Sequence, residues 1–340
     1  MLVERSGIGA YSPWPRYGGG GDLQTAAFAE ARRLMEESRA SSTRIGYQRD
    51  WRLFVTWMTE TFPEREAFPS HPASVGLYIG YLRTKGLAKQ TIIGRLAAIA
   101  YAHELGGIPS PLKHPEIYRE IRGLRRQIER PKTERLALVR KQATAMLELS
   151  QATTLYALRD RSIFTLAWCS ALRRSNIAAL EVEDCQLIDD PIDGRYLLLN
   201  IVKSKTDQQG VGRKLPVTEM PADDPLCAVR AYEAWIRASK LTTGPLYRTF
   251  TLNRKMTQNR IDGRDVARAV KRLCIQAGVD PAKFAAHSLR RGFVTSADEA
   301  GVRRSLIREQ GGWKDDRMIA TYTKVELVKD NALRAMFKDK

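Results

Sequence analysis

The chain has 340 residues, enough for about two domains at ~150 residues each. Its 56 Lys+Arg against 38 Asp+Glu leave a net charge of +18 and a pI of about 9.9, so a polyanion, most commonly nucleic acid, is the expected partner. No apolar run reaches the ~20 residues of a bilayer span and the start lacks a signal-peptide core, which excludes a membrane partner and points to a cytoplasmic, nucleoid-associated protein.

The basic excess is not a tail. Residues 1–130 carry 19 basic and 13 acidic side chains, and residues 131–340 carry 37 and 25. Both parts are expected to touch the same ligand. Cys169, Cys185, Cys227 and Cys274 form no CxxC pair, so they read as buried small side chains in a reducing compartment.

Residues 1–22, rich in Gly, Pro and Ser, read as a flexible arm. A helical bundle over residues 23–130 follows. "LQTAAFAEARRLMEES" opens it, then a helix capped by Ser41 or Ser42 with Ile45, Trp51, Phe54, Val55 and Met58 on its apolar face. "ASVGLYIGYLRTKG" closes at Gly86, "AKQTIIGRLAAIAYAHELGG" at Gly106 and Gly107, and "HPEIYREIRGLRRQIER" is strongly basic. Arg44, Lys85, Lys89, Gln90, Arg122 and Arg125 in this bundle suit phosphate contacts, as does Lys203 further on. Pro131 marks a linker.

The second domain, residues 131–340, begins with helical "RKQATAMLELS" and "LRDRSIFTLAWCSALRRSNIAAL". "RYLLLNIVKSKTD" and "GRKLPVTEM" are strand-like around turn glycines, and helices resume from Pro225 to the end, with a tail helix at about 325–337. The expected fold class is mainly α with a small antiparallel β-sheet.

Within this domain, His287 and Arg290 stand three apart on a helical stretch, so both can face one anionic group. Alone, that pair is more often a cap and a surface arginine. Four further residues change the odds: Arg173 after the apolar stretch "IFTLAWCSAL", Lys205 on a predicted hairpin, Trp313 after a double glycine, and Tyr322 on a short polar helix. In the order Arg173, Lys205, His287, Arg290, Trp313, Tyr322, the set resembles the tyrosine recombinase (phage integrase) family. Trp in the fifth place, "GGW" and the short tail are similar to the Cre-like members, and the likeness covers roughly residues 40–335.

The resemblance implies a helical core-binding (SAM-like) bundle and a catalytic domain forming a C-shaped clamp on double-stranded DNA. It also implies site-specific recombination through a 3′-phosphotyrosyl intermediate and a Holliday junction. In this scheme Tyr322 is the nucleophile, Arg173 and Arg290 hold the phosphate oxygens, His287 and Trp313 add donors, and Lys205 protonates the leaving oxygen. No metal and no cofactor are expected. A homotetramer on two DNA sites, from a monomer in solution, with the tail helix docked in a neighbouring subunit, is also implied. The family usually carries an acid three places after the first arginine; here Asn176 stands there. The alternatives are a non-catalytic DNA-binding protein of the same fold and a type IB topoisomerase-like relaxer.

Overall fold

A computed structural model describes residues 30, 33, 38–127, 135–150, 153–202 and 212–322. The expected arm, the opening helix apart from three of its residues, the linker at Pro131, both hairpin lysines Lys203 and Lys205, and the tail helix lie outside the described residues. The chain divides into two compact units, Met1–Lys132 and Thr133–Lys340.

Among the described residues, the first unit packs four α-helices, α1 (Ser41–Thr61), α2 (Pro72–Thr84), α3 (Lys89–Leu105) and α4 (Pro115–Arg126). Trp51, Phe54, Trp57 and Met58 of α1 meet Tyr78, Leu82, Leu96, Ile99 and Ile121 in one core. Two expectations are corrected in α1. Ala40, not a serine, occupies the N-cap position, with no side-chain cap bond. Ile45 is 66% exposed, because at about 100° per residue it lies opposite Phe54 on the helix. Elsewhere the sequence punctuation holds. His71 caps α2 by accepting from the Ala73 amide at 3.2 Å, and Gly86 and Gly107 take the left-handed backbone after α2 and α3.

The second unit is built around α6 (Leu155–Cys169), which is buried on almost every side from Arg159 onward. It packs against α8 (Ala228–Ser239), α9 (Gly263–Gln276) and α10 (Ala286–Glu299), with α5 (Arg140–Leu149) completing that side of the core. The stretch read as helical from Leu158 to Leu180, with Arg173 at the end of a buried helix or in the turn after it, holds two helices. α6 stops at Cys169, and α7 (Arg174–Ala179) starts after a turn in which Ala171 adopts φ +50°. That left-handed backbone is costly for a residue with a Cβ, and no composition signal announces it.

Strands β1 (Cys185–Asp190), β2 (Gly194–Ile201) and β3 (Arg213–Thr218) form an antiparallel sheet in the order β1-β2-β3. Leu197 pairs with Val217 and Leu199 with Leu215, and all four face the core. β1 was not anticipated, since its burial does not alternate cleanly. Nor was the hairpin β4 (Arg248–Phe250) and β5 (Met256–Arg260), which interrupts the expected run of helices after Pro225. α11 (Arg304–Gly311) and α12 (Arg317–Tyr322) close the described chain.

One buried group gives the first unit an acid sensitivity. His103 Nε2 accepts from the Ser70 amide at 3.0 Å, so Nδ1 carries the proton donated to the Ile99 carbonyl at 2.8 Å. Burial lowers its pKa, opposed by the Ile99 bond. The unfolded chain therefore binds a proton more readily than the folded one. The contribution is full above the unfolded value of about 6.5 and drains as pH falls through the lowered folded pKa. We expect urea unfolding of the full chain to lose stability from pH 7 to pH 5, and His103→Gln to lessen that slope. Equal slopes in both proteins would refute the assignment.

Candidate functional site

Five of the six candidate side chains come together in the second unit. A cleft of about 750 Å³ is lined by Arg173, Arg174, His287, Arg290, Trp313 and Tyr322 among others. The sixth, Lys205, lies outside the described residues.

The turn after α6 brings in the first arginine. Ser170 Oγ donates to the Leu166 carbonyl at 2.5 Å, Ala171 turns left-handed, and Arg173 becomes the N-cap residue of α7 with an extended backbone. The second arginine comes from α10. Arg290, one turn after His287, is only 3% exposed and donates through Nη1 to the Ala171 carbonyl. One backbone turn thus sets the register of both guanidiniums.

Trp313 supplies the floor. α11 ends at Gly311, and Gly312 takes φ +64° to redirect the chain. The indole lies against Gly311 so closely that a Cβ there would fall 1.6 Å from the ring. The guanidinium carbon of Arg290 stands 3.8 Å from the Trp313 ring centroid, a cation–π stack. Its Nη2 is buried without a hydrogen-bond partner among the described residues. A buried guanidinium with an unsatisfied donor is suited to an anionic oxygen.

Tyr322 is the last residue of α12 and is 8% exposed. Its carbonyl accepts from Thr295 Oγ1 of α10 at 3.1 Å, and its hydroxyl lies 3.2 Å from His287 Nε2. Around these groups Ala171, Val294, Ile307 and Ile319 form a small apolar cluster of their own with Trp313 and Tyr322.

The charges explain the titration. Burial, then Arg290, Arg291, Arg173 and Arg174, hold the His287 pKa below its ordinary value, so at neutral pH the imidazole is uncharged and able to accept a proton. Burial, then Arg173 and Arg213, push Arg290 down to about 9, with Tyr322 opposing. Arg290 is still a cation at pH 7. Asn176 is buried on α7.

The other expected contact residues belong to the first unit, apart from Lys203, which is outside the described residues. Lys85, Gln90, Arg122 and Arg125 are exposed, and Arg44 is half-buried. Lys89 differs from them: its ammonium donates to the Gln127 carbonyl at 2.8 Å and closes the end of α4. Sequence reasoning did not single out Ala171, Thr295 or Gly311. Only the last had a visible signal, the paired glycines before Trp313.

Comparison with known proteins matches residues 137–327 to the phage integrase family. An integrase/recombinase xerD homolog of Selenomonas ruminantium is 28% identical over 312 residues, covering 91% of this chain and 89% of that protein. The recombinase cre of Escherichia phage P1 is 25% identical over 280 residues, 76% of this chain and 77% of the phage protein, so that likeness is modest. Among solved structures, the Tn1549 transposon integrase in complex with transposon right end DNA aligns with a TM-score of 0.59 at 14% identity, covering 88% and 94% of the two chains.

The Trp313 floor can be tested without substrate. Gly311→Ala forces the indole away from its position and is expected to cost ~2 kcal/mol or more by overpacking, read as a lower urea midpoint. An unchanged midpoint would show that the ring does not need that approach.

Proposed function

Because the chain belongs to the phage integrase family, we propose that the cleft holding these five side chains, completed by Lys205, cuts and rejoins double-stranded DNA through a covalent 3′-phosphotyrosyl intermediate. The enzyme is a tyrosine-type site-specific recombinase. The observation that carries the residue assignments is the 3.2 Å approach of the Tyr322 hydroxyl to His287 Nε2 in a cleft shared by Arg173 and Arg290.

A phosphodiester carries one negative charge that repels an entering oxygen. Attack by the Tyr322 oxygen forms the P–O bond, and the bond to the 5′ oxygen breaks. The phenolic proton passes to neutral His287. Charge growing on the non-bridging oxygens meets Arg173 and Arg290, fixed before the reaction begins, and one such donor is worth ~3 kcal/mol. The Trp313 indole holds Arg290 from below and carries an N–H able to join those donors. Lys205 gives a proton to the departing 5′ oxygen. Rejoining reverses each transfer, since the energy of the broken ester is kept in the phosphotyrosine.

Exposed Lys85, Gln90, Arg122 and Arg125 serve the duplex as phosphate contacts, together with Arg44, Lys89 and Lys203. Recombination needs two DNA sites, so the working assembly is a homotetramer with a Holliday-junction intermediate. The residues after Tyr322 dock in a neighbouring subunit. Family likeness supports these parts of the reading.

A nicked suicide duplex tests the scheme. Wild type should form a covalent adduct, and Tyr322→Phe should form none while binding the duplex within about threefold of wild type. No adduct from wild type would leave only a DNA-binding protein. Relaxation of supercoiled DNA without exchanged products would favour a relaxer. Adduct formation should also fall as pH drops through the lowered His287 pKa, because protonated imidazole cannot accept the phenolic proton. A rate unchanged through the acid limb would remove His287 as the acceptor.

A further inference from the structure

We infer that Arg213 is a positioning residue for strand cleavage, holding the Trp313 turn beneath Arg290 and adding a third guanidinium charge behind the phosphate-binding pair. The inference rests on the reading of the cleft as a phosphodiester site.

Arg213 is the first residue of β3, yet its side chain leaves the sheet for α11. Nη1 donates to the Glu309 carbonyl at 2.6 Å and Nη2 to the Gln310 carbonyl at 3.1 Å. Both carbonyls belong to the last turn of α11, the negative end of the helix, and that of Glu309 also accepts from the Gly312 amide at 3.1 Å. Such carbonyls beside a cleft for an anion are unfavourable for that anion. A two-pronged guanidinium closes them and reverses the local sign.

The geometry around this contact is tight. Gly312 follows directly, and a Cβ on it would sit 3.2 Å from the Arg213 guanidinium carbon. Gln310 Nε2 donates to the Cys169 carbonyl at 2.9 Å, so the same turn is fastened to the end of α6. Trp313 comes next and carries Arg290 on its face. The turn is therefore held from one side by β3 and from the other by α6.

Both terminal nitrogens of Arg213 are engaged by carbonyls, so it acts through its neighbours and does not itself grasp substrate. Its charge still reaches the cleft. Arg213 is among the groups that lower the Arg290 pKa, and Arg173 in turn lowers that of Arg213, after burial and against Glu309. Three guanidiniums kept this close raise the potential felt by a phosphate.

The test uses the full-length protein and the suicide duplex, with Arg213→Gln and Arg213→Lys beside wild type. Adduct formation at saturating DNA should fall about tenfold in Arg213→Gln, with duplex affinity within about threefold. Arg213→Lys keeps the charge but has no fork, and should fall between the two. A second duplex carries an uncharged methylphosphonate at the scissile position. If Arg213 serves charge on the phosphate oxygens, the Arg213→Gln deficit shrinks on that duplex. An equal deficit on both duplexes, with no rescue by lysine, would make Arg213 a scaffold residue only and overturn the inference. So would a wild-type rate in Arg213→Gln while wild type itself cleaves. If Arg213→Gln does not fold, Arg213→Lys decides: a wild-type rate overturns the inference, and a deficit that shrinks on methylphosphonate supports it. Absence of any wild-type adduct brings down the cleft reading, and this inference with it.

Discussion

A buried cation without a carboxylate partner among the described residues organises the catalytic unit. Arg290 is almost fully removed from solvent, and desolvating a guanidinium costs several kcal/mol unless something replaces the water. Here the replacements are a carbonyl and a π-face. The carbonyl comes from Ala171, which must turn left-handed to present it, and the π-face comes from Trp313, which must pack where only glycine fits beneath. Neither replacement neutralises the charge. The site is thus folded around a cation that its own protein leaves without a counter-ion among the described residues, as the proposed phosphate-binding role requires.

That demand spreads outward through packing. α10 carries both His287 and Arg290, and its position is set by the segment just ahead of α5. Leu138 donates its amide to the Ser288 carbonyl at 2.9 Å and accepts from the Trp168 indole at 2.9 Å. A Cβ on Gly292 would come within 1.8 Å of that same Leu138 carbonyl, so α10 approaches the segment as closely as a side-chain-free residue allows. The opposite face of α6 is fastened differently. Buried Asp160 accepts from both Arg159 and Arg272, and the Arg159 guanidinium lies against both the Tyr156 and Phe250 rings, which meet each other edge to face. Polar satisfaction on that side keeps α6 fixed while its C-terminal end supplies the active-site turn.

Much of this was legible in the residues. The order of Arg173, His287, Arg290, Trp313 and Tyr322 pointed to one site through its resemblance to the tyrosine recombinase family, and α1 to α4 were legible as helices from period and glycine punctuation, though Ile45 was placed on the wrong face of α1. The failures have physical causes. α6 is buried on almost every side, so periodicity could not show where it ends, and the whole stretch through the break at 170–173 was read only as helical. β4 and β5 are three and five residues long and largely polar, held by pairing with each other and by Arg248 and Arg260 contacts that no local signal reveals. The left-handed Ala171 is decided by tertiary need, against its own preference.

α12 has one further consequence. Tyr322, the proposed nucleophile, is the final residue of a helix of six, and its backbone is fastened to α10 by one described bond, from Thr295 to its carbonyl. A single bond of that kind is worth ~1 kcal/mol net. The phenol is therefore mounted like the tip of a short lever next to the point where the chain continues. What steadies the phenol is therefore mostly its packing with Trp313, Ile319 and their neighbours, so its aim at the imidazole depends on side-chain fit more than on backbone anchorage.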